Sequence, residues 1–197
     1  MQFLSIGLQK RGFEKLTEIQ RCVIPHALCG RDIMAASKTG SGKTLSYLLP
    51  ILENLYREKW TAYDGLGAVI LLPTRELAVQ VFEVLKSISD FTEISFGLVI
   101  GGKSLEAEQT LIRNMAVLVC TPGRLLQHLQ DTVTFEYSNC RMVVLDEADE
   151  IILMGFINTI TEILNYLPKK RQTMLLSATL SNKVLELGKF ALKVDED

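Results

Sequence analysis

Long hydrophobic runs and an excess of positive charge are both missing from this sequence. No uncharged apolar stretch has the roughly 18 residues that a membrane-spanning helix requires. Residues 1–5 lack the basic and then apolar pattern of a signal peptide. The net charge of −2 argues against a broadly basic surface for nucleic acid. We therefore expect a soluble intracellular protein without a membrane partner, in which any nucleic acid is held by local contacts.

Metal-binding side chains are also few. The 197 residues include four cysteines and two histidines, with no C-x-x-C or H-x-x-x-H pair. Because zinc sites are built from clustered cysteine and histidine ligands, we expect no zinc centre. An intracellular chain of this size does not need disulfides, so the cysteines are expected to be buried or half-buried thiols. They are Cys22, Cys29, Cys120 and Cys140.

The chain has the size and composition of one globular domain. It is 48% hydrophobic and 22% charged, and a single core of this size buries enough apolar surface to be stable. We expect one domain over residues 1–197. Residues 194–197, which are acidic and unpatterned, are expected to begin a linker.

Apolar, β-branched runs alternate with stretches of helical spacing along the chain. Continuous apolar runs are typical of strands buried on both faces of a parallel sheet, and Leu45–Leu55 has the apolar spacing of an amphipathic helix. The alternation predicts an α/β fold with a mostly parallel sheet, right-handed crossovers and helices on both faces. The predicted strands are Asp32–Ala36, Ala68–Leu72, Phe96–Ile100, Val117–Cys120, Met142–Leu145 and Thr173–Leu176.

Each predicted strand is followed directly by a polar or glycine-rich segment. In parallel α/β sheets, ligands bind beyond the carboxyl ends of the strands, and those ends share one edge. The sequence therefore predicts that the functional residues gather at one edge of one sheet. The segments are Ser37–Thr44, Pro73–Leu77, Gly101–Gly102, Thr121–Arg124, Asp146–Asp149 and Ser177–Thr179.

The first of these segments reads S-K-T-G-S-G-K-T and is typical of a loop that holds nucleotide phosphates. Gly40 and Gly42 let backbone amides turn toward phosphate oxygens at a helix N-terminus. Lys43 would neutralise the β and γ phosphates, and the Thr44 hydroxyl would bind magnesium. The strict pattern opens with glycine where this loop has serine, so a surface turn is the alternative. The nucleotide-binding candidates are Ser37, Lys38, Thr39, Gly40, Ser41, Gly42, Lys43 and Thr44.

The second half of such a site is D-E-A-D, which directly follows a predicted strand. The Asp146 carboxylate emerges at the sheet edge, where a hard cation such as Mg²⁺ needs oxygen ligands. Glu147 would orient or deprotonate the water that attacks in an in-line phosphoryl transfer. A solvated acidic helix start is the alternative for these four residues alone. Together with the phosphate loop they indicate ATP hydrolysis, with Lys43, Asp146 and Glu147 as the catalytic residues.

Four further segments offer contacts to nucleic acid or between motifs. Thr121–Arg124 combines a capped helix N-terminus with a guanidinium, which suits a backbone phosphate, and Pro73–Leu77 repeats this design. Gly101–Gly102 lets a nucleic-acid backbone approach closely. The hydroxyls of Ser177–Thr179 can bond Asp149 on the neighbouring strand. Taken singly, each segment is better explained as a helix cap or a strand-end turn.

Taken together and in this order, the motifs resemble the first RecA-like domain of the DEAD-box ATP-dependent RNA helicases, from about Gly12 to Leu192. The resemblance implies a RecA-like P-loop NTPase domain that uses ATP and Mg²⁺. Gly12–Gln20 is similar to the adenine-reading Q motif of that family. Its Gln20 can present both an acceptor and a donor to adenine. The nucleotide-binding residues that this motif implies are Phe13, Lys15, Thr17 and Gln20.

The same resemblance implies RNA contacts that are largely independent of base sequence, because they go to the sugar-phosphate backbone. Asp149, Ser177 and Thr179 would link hydrolysis to strand separation. Leu16 replaces the usual proline of the family and is expected to loosen adenine packing slightly. The implied RNA-binding residues are Pro73, Thr74, Arg75, Gly101, Gly102, Thr121, Pro122, Gly123 and Arg124.

About one helix remains after Thr179, so the resemblance implies that the second RecA-like domain, with its arginine finger, is absent. This chain is then expected to be a monomer that binds nucleotide but is nearly inactive in hydrolysis and unwinding. Segments such as Leu167–Thr173 look most like the subgroup that acts in small-subunit ribosome biogenesis, which implies a nucleolar protein that processes pre-rRNA among pre-ribosomal proteins. The alternatives are a P-loop NTPase acting on DNA and a non-catalytic RNA-binding or assembly scaffold.

Overall fold

A computed structural model describes residues 15–89, 92–102 and 104–192 of the chain. Phe13 and the predicted linker residues 194–197 lie outside this part. Helices and strands alternate through it in the predicted manner. In chain order they are α1 (Glu18–Leu28), β1 (Ile33–Ala36), α2 (Lys43–Arg57), β2 (Ala68–Leu71), α3 (Arg75–Ile88), β3 (Phe96–Val99), α4 (Leu105–Ile112), β4 (Val117–Cys120), α5 (Pro122–Asp131), β5 (Met142–Leu145), α6 (Ala148–Leu153), α7 (Ile157–Tyr166), β6 (Gln172–Ser177) and α8 (Asn182–Ala191).

The strands form one six-stranded sheet in the order β1-β6-β5-β2-β4-β3. Every pairing among the described residues is parallel, which confirms the expected fold class. Neighbouring strands run nearly in register: Met142 of β5 pairs with Gln172 of β6 and with Ala68 of β2. Their carboxyl ends therefore lie along one side of the sheet, which we call the carboxyl edge, and their amino ends along the other, the amino edge.

Two apolar clusters cover the two faces of the sheet. Leu48 of α2 packs in one cluster with Ile70 and Val144, whereas Leu125 of α5 packs in the other with Val143. Because successive residues of a strand point to opposite faces, each face needs its own cover of helices. Helices α1 to α3 supply residues to the first cluster and α4 to α8 to the second. Each fully buried Leu or Ile contributes about 1.5–3 kcal/mol to this core.

The cysteines divide into a buried and an exposed pair. Cys120 and Cys140 are buried free thiols, and burial raises the pKa of both, that of Cys140 to about 12. Cys22 and Cys29 are exposed, so the expectation of buried or half-buried thiols is wrong for this pair. Cys22 lies off the stripe of α1 that faces the core, and Cys29 follows the end of that helix.

None of the helices in the described part of the chain combines the length and the apolar character needed to cross a bilayer.

Candidate functional site

The loop between β1 and α2 has the backbone of a phosphate cradle. Gly40 and Gly42 have φ angles of 80° and 92°, in the left-handed region that glycine adopts without strain. The Ser37 amide donates to the Ser177 carbonyl oxygen at 3.1 Å, which fastens the loop to the end of β6. The hydroxyls of Ser37 and Ser41 are 2.7 Å apart and hydrogen-bonded. The serine that departs from the strict pattern therefore helps to close the loop. The tip of the loop, Lys38, Thr39 and Gly40, is exposed.

Lys43 is the first residue of α2 and is only 5% exposed. Its Nζ donates to the Ser37 carbonyl oxygen at 2.9 Å and lies 3.3 Å from a carboxylate oxygen of Glu147. These two charged side chains are 104 residues apart in sequence. They meet because β1 and β5 both neighbour β6 in the sheet. The predicted phosphate-binding cation and the predicted water-orienting carboxylate therefore lie in one site.

Asp146 follows β5 at the same edge and is 4% exposed. Its Oδ2 accepts from the Tyr47 hydroxyl at 2.8 Å, and its Oδ1 accepts from the Glu147 amide at 2.9 Å. Burial raises the pKa of this carboxyl to about 6, and the Tyr47 hydrogen bond opposes that rise. A nearby cation would favour the ionised form for the same electrostatic reason. The carboxylate of Asp146 and the hydroxyl of Thr44 are oxygen donors of the kind that Mg²⁺ binds, so the residues fit the cation.

Tyr47 is a member of this site that the motifs do not include. It is completely buried, and its hydroxyl donates to Asp146 Oδ2 at 2.8 Å. Burial raises its pKa well above the ordinary value, so the hydroxyl stays a neutral donor. A buried tyrosine requires a partner for its hydroxyl. Tyr47 lies one helical turn after Thr44 on α2, but no motif in the sequence points to its contact with Asp146.

Gln20 links α1 to the phosphate loop. It is 5% exposed, its Oε1 accepts from the Thr17 amide at 2.9 Å, and its Nε2 donates to the Gly42 carbonyl oxygen at 3.0 Å. A Cβ at Gly42 would lie 2.5 Å from that Nε2, so the close contact requires glycine. Lys15 and Thr17 are exposed nearby. Both amide atoms of Gln20 bond the backbone here, and its reading of adenine stays a prediction.

The end of β6 contacts the start of α6 through the residues that were expected to couple the motifs. Asp149 Oδ2 accepts from the Thr179 hydroxyl at 3.0 Å and from the Thr179 amide at 3.1 Å. The Asp149 amide donates to the Ser177 hydroxyl at 3.3 Å. Burial raises the pKa of Asp149, but the hydrogen bonds from Ser177 and Thr179 outweigh it and hold the pKa below its ordinary value. The Asp149 carboxylate is therefore a stable acceptor that joins the start of α6 to the end of β6.

Arg75 lies against the glycine pair at the end of β3. Cβ atoms built on Gly101 and Gly102 would lie 3.1 Å from its Nη2 and 2.7 Å from its Nη1. Gly102 has a φ of 95°, which an L-residue rarely adopts. Thr74 caps α3 by accepting from the Leu77 amide at 3.2 Å, while Pro73 is buried. One part of the predicted RNA surface is thus the Arg75 guanidinium packed against a turn of two glycines, which have no side chains.

Arg124, the predicted phosphate-binding cation of α5, forms an ion pair with a buried carboxylate. Its side chain is 9% exposed, and its Nε donates to Glu108 at 2.7 Å. Glu108 also contacts Nε2 of His128 at 3.0 Å, and its Oε1 has no hydrogen-bond partner among the described residues. Thr121 occupies the N-cap position of α5 without a side-chain capping bond, Pro122 is buried and Gly123 is exposed. Arg124 is held by a buried carboxylate that the sequence motifs do not include.

Comparison with known proteins finds a matching family and similar sequences. The family described as "DEAD/DEAH box helicase" matches residues 17–187. The protein named "ATP-dependent RNA helicase DBP4" from Coccidioides immitis is 56% identical over 190 residues. The protein of the same name from Sclerotinia sclerotiorum is 54% identical over 192 residues. These matches cover 96% and 98% of this chain but only 24% of each relative, so the chain spans about a quarter of their length.

Two solved structures are similar to this chain in fold. A DEAD box protein from Methanococcus jannaschii superposes with a TM-score of 0.87 at 36% identity, over 95% of this chain and 50% of that one. A hypothetical ATP-dependent RNA helicase from Sulfolobus tokodaii superposes with a TM-score of 0.86 at 33% identity, over 98% of this chain and 55% of that one. This chain therefore shares its fold with these two proteins.

Proposed function

Since the chain belongs to the DEAD/DEAH box helicase family, we propose that it is the ATP-binding domain of an ATP-dependent RNA helicase. The observation that carries the proposal is the 3.3 Å contact of Lys43 with Glu147. It joins the phosphate loop to the D-E-A-D segment in one site, as phosphoryl transfer requires. The names of relatives that match 96% of the chain support RNA over DNA as the substrate.

Phosphates of ATP would lie at the N-terminus of α2, where the loop amides and the helix dipole favour anions. Lys43 would exchange its contact with Glu147 for the β and γ phosphates. Glu147, released from that ion pair, would orient the attacking water. Bound Mg²⁺, held by Thr44 and Asp146, would neutralise charge on the phosphate oxygens.

The link from nucleotide to RNA would run through the end of β6. The Ser37 amide donates to the Ser177 carbonyl oxygen at 3.1 Å, so a movement of the phosphate loop would reach Ser177–Thr179 through this bond. Asp149 bonds both Ser177 and Thr179. These contacts support a role of Asp149, Ser177 and Thr179 in coupling hydrolysis to strand separation.

RNA would bind along the carboxyl edge, at Thr74, Arg75 and Gly101–Gly102 and at the N-terminus of α5. The second RecA-like domain would complete this groove and supply the arginine finger, so we expect this chain alone to bind nucleotide and RNA but to hydrolyse ATP very slowly. The subgroup resemblance supports a nucleolar role in pre-rRNA processing among pre-ribosomal proteins.

The first test of this function is base selectivity at Gln20. Titration calorimetry with ADP–Mg and GDP–Mg should give at least about tenfold tighter binding of ADP, because a site built to hydrogen-bond one base rejects another. Gln20→Ala should erode this preference and weaken binding overall, because Gln20 also supports Gly42 (3.0 Å). Gln20→Glu is a second variant, since it keeps the acceptor for Thr17 but replaces the donor to Gly42 with a negatively charged acceptor.

Equal binding of both nucleotides by the unmodified chain would favour a P-loop NTPase of another class. An unchanged preference in Gln20→Ala would remove the adenine-reading role and leave the phosphate site intact.

A second test concerns the RNA surface. Arg75→Ala should weaken binding of all single-stranded RNA sequences alike and lower the salt slope by about 0.7, the value for one phosphate contact. Gly102→Ala should act in the same direction, because the added Cβ would meet Arg75 Nη1 at 2.7 Å. Fluorescence anisotropy at several salt concentrations measures both, with the exposed Arg113→Ala as control. A loss confined to particular RNA sequences would contradict backbone recognition.

A further inference from the structure

At the amino edge, three neighbouring strands each follow an arginine. Arg31 lies two residues before β1, Arg141 directly before β5 and Arg171 directly before β6. These strands are adjacent in the order β1-β6-β5. Met142 pairs with Gln172, so Arg141 and Arg171 lie side by side on strands about 4.8 Å apart. The three positive charges therefore form a row across the sheet.

Two lysines extend this row. Lys169 and Lys170 are exposed in the turn between α7 and β6. We call Arg31, Arg141, Lys169, Lys170 and Arg171 the basic edge. Like charges on adjacent strands repel, and the carboxylates of Asp32 and Glu58 in this region are too few to balance them. The whole chain carries a net charge of −2, but these five cations lie together at the amino edge, on the side of the sheet opposite the nucleotide site.

A cavity of about 260 Å³ opens within the basic edge, and its walls include Glu58, Arg141, Lys170, Arg171 and Gln172. The Arg141 side chain is 52% exposed and contacts Glu58 at 3.6 Å. It also lies over the ring of Trp60, 5.9 Å from the centroid. An exposed ion pair of this kind is weak and is easily exchanged for another anion. The guanidinium of Arg141 is therefore oriented by the ring but accessible to a ligand.

Arg171 is partly buried, and one of its donors has no acceptor within the described part of the chain. Its Nη1 donates to the carbonyl oxygens of Pro168 at 2.8 Å and Leu164 at 3.4 Å. Its Nε is buried and has no hydrogen-bond partner among the described residues. Burial lowers the pKa of this guanidinium, because its surroundings solvate the positive charge poorly. An anion in the cavity would relieve this unfavourable environment.

We propose that the basic edge binds the phosphate backbone of RNA, as a second RNA surface distinct from the one at Arg75 and Gly101–Gly102. The proposal rests on the proposed function, which makes RNA the polyanion that this protein meets. The charges are spread over three strands rather than gathered at one point, so they suit a ligand with repeated negative charges. Arginine in particular presents a fork of donors that matches a phosphate. This surface does not contact the phosphate loop, so its binding does not depend on nucleotide.

The test is charge reversal at the two lysines, which are exposed and so can be changed without disturbing the core. Fluorescence anisotropy would follow binding of long single-stranded RNA to this chain without nucleotide. Lys169→Glu combined with Lys170→Glu should lower the affinity at low salt about tenfold. The slope of log affinity against log salt should fall by about 1.4, which is 0.7 for each of two lost cations. Arg141→Gln combined with Lys170→Gln should act in the same direction through neutralisation alone.

Lys86→Glu is the matched control. It reverses an exposed lysine on α3, which packs on β3 and β4 rather than on β5 and β6, and should change the affinity by less than about twofold. Unchanged affinity in the lysine double variant, while Arg75→Ala still weakens binding, would overturn the second surface and leave the helicase assignment standing. Polyglutamate serves as a second probe in the same anisotropy assay. If the lysine double variant lost polyglutamate binding but kept RNA binding, the edge would be a protein-docking surface and the proposal would be overturned. Absence of RNA binding by the unmodified chain would overturn both proposals.

Discussion

Replacing Lys43 with alanine is expected to lower the affinity for ADP–Mg at least about 100-fold, or about 2.7 kcal/mol. The Nζ is the cation at the phosphate loop, and charge-assisted hydrogen bonds to phosphate contribute about 1.5–3 kcal/mol each. The substitution also removes the counter-ion of Glu147, because the Lys43 ammonium lies 3.3 Å from its carboxylate. Glu147 is then an unpaired negative charge beside Asp146. That repulsion would further oppose an incoming phosphate. Titration calorimetry with ADP–Mg measures the effect.

Lys86 is the control for Lys43, because it is an exposed lysine that belongs to none of the motifs. Lys86→Ala should change the affinity by less than about threefold, as expected for an exposed cation. The double variant Lys43→Ala with Glu147→Gln separates the two contributions, since removing the carboxylate charge should restore only the part due to repulsion. Affinity retained in Lys43→Ala would refute the assignment of the phosphate loop.

Replacing Glu147 with glutamine is expected to reduce ATP hydrolysis by about 10²–10⁴-fold, the usual contribution of a positioned general base. Nucleotide affinity should stay the same or increase, because Lys43 loses the carboxylate that contacts it at 3.3 Å. The full-length protein should be used for the rate, measured as RNA-stimulated phosphate release, and calorimetry for the affinity. A fall in rate without a fall in affinity would identify a group that acts in the transition state.

Glu150→Gln is the control for this change, because Glu150 lies on the same short helix and is exposed. It should leave both rate and affinity unchanged. If Glu147→Gln left the cellular function of the full-length protein unchanged, the chain would instead be a non-catalytic RNA-binding or assembly scaffold. The order of the motifs would then need another explanation.

Features that depend on residues close in sequence were predicted well. The strands differ from the predicted runs by only a residue or so at their ends; β6, for example, is Gln172–Ser177 where Thr173–Leu176 was expected. The phosphate loop turns through Gly40 and Gly42, as the preference of glycine for positive φ requires. Thr74 caps α3 as its position before Arg75 indicates. Each of these depends on local backbone and capping preferences.

Contacts between distant residues were not predictable in the same way. Tyr47 and Asp146 are 99 residues apart, and nothing in the motif patterns pairs them. Arg124 was expected to offer its guanidinium to a backbone phosphate, and that role stays a prediction. Its contact with buried Glu108, 2.7 Å from Nε, was not predicted. The direction of such a side chain depends on which helix packs beside it, and a guanidinium has acceptable partners both in the core and in solvent.

The sequence by itself determined the alternating helices and strands, the parallel sheet, and the gathering of polar segments at its carboxyl edge. Those follow from apolar periodicity and from the rule that parallel strands end on one side. Only the tertiary structure decided that the strand order is β1-β6-β5-β2-β4-β3, which brings Lys43 to Glu147 and aligns Arg141 with Arg171. Strand order depends on the packing of the whole core. Which charged side chains contact each other depends in turn on strand order, so these contacts are known only from the tertiary structure.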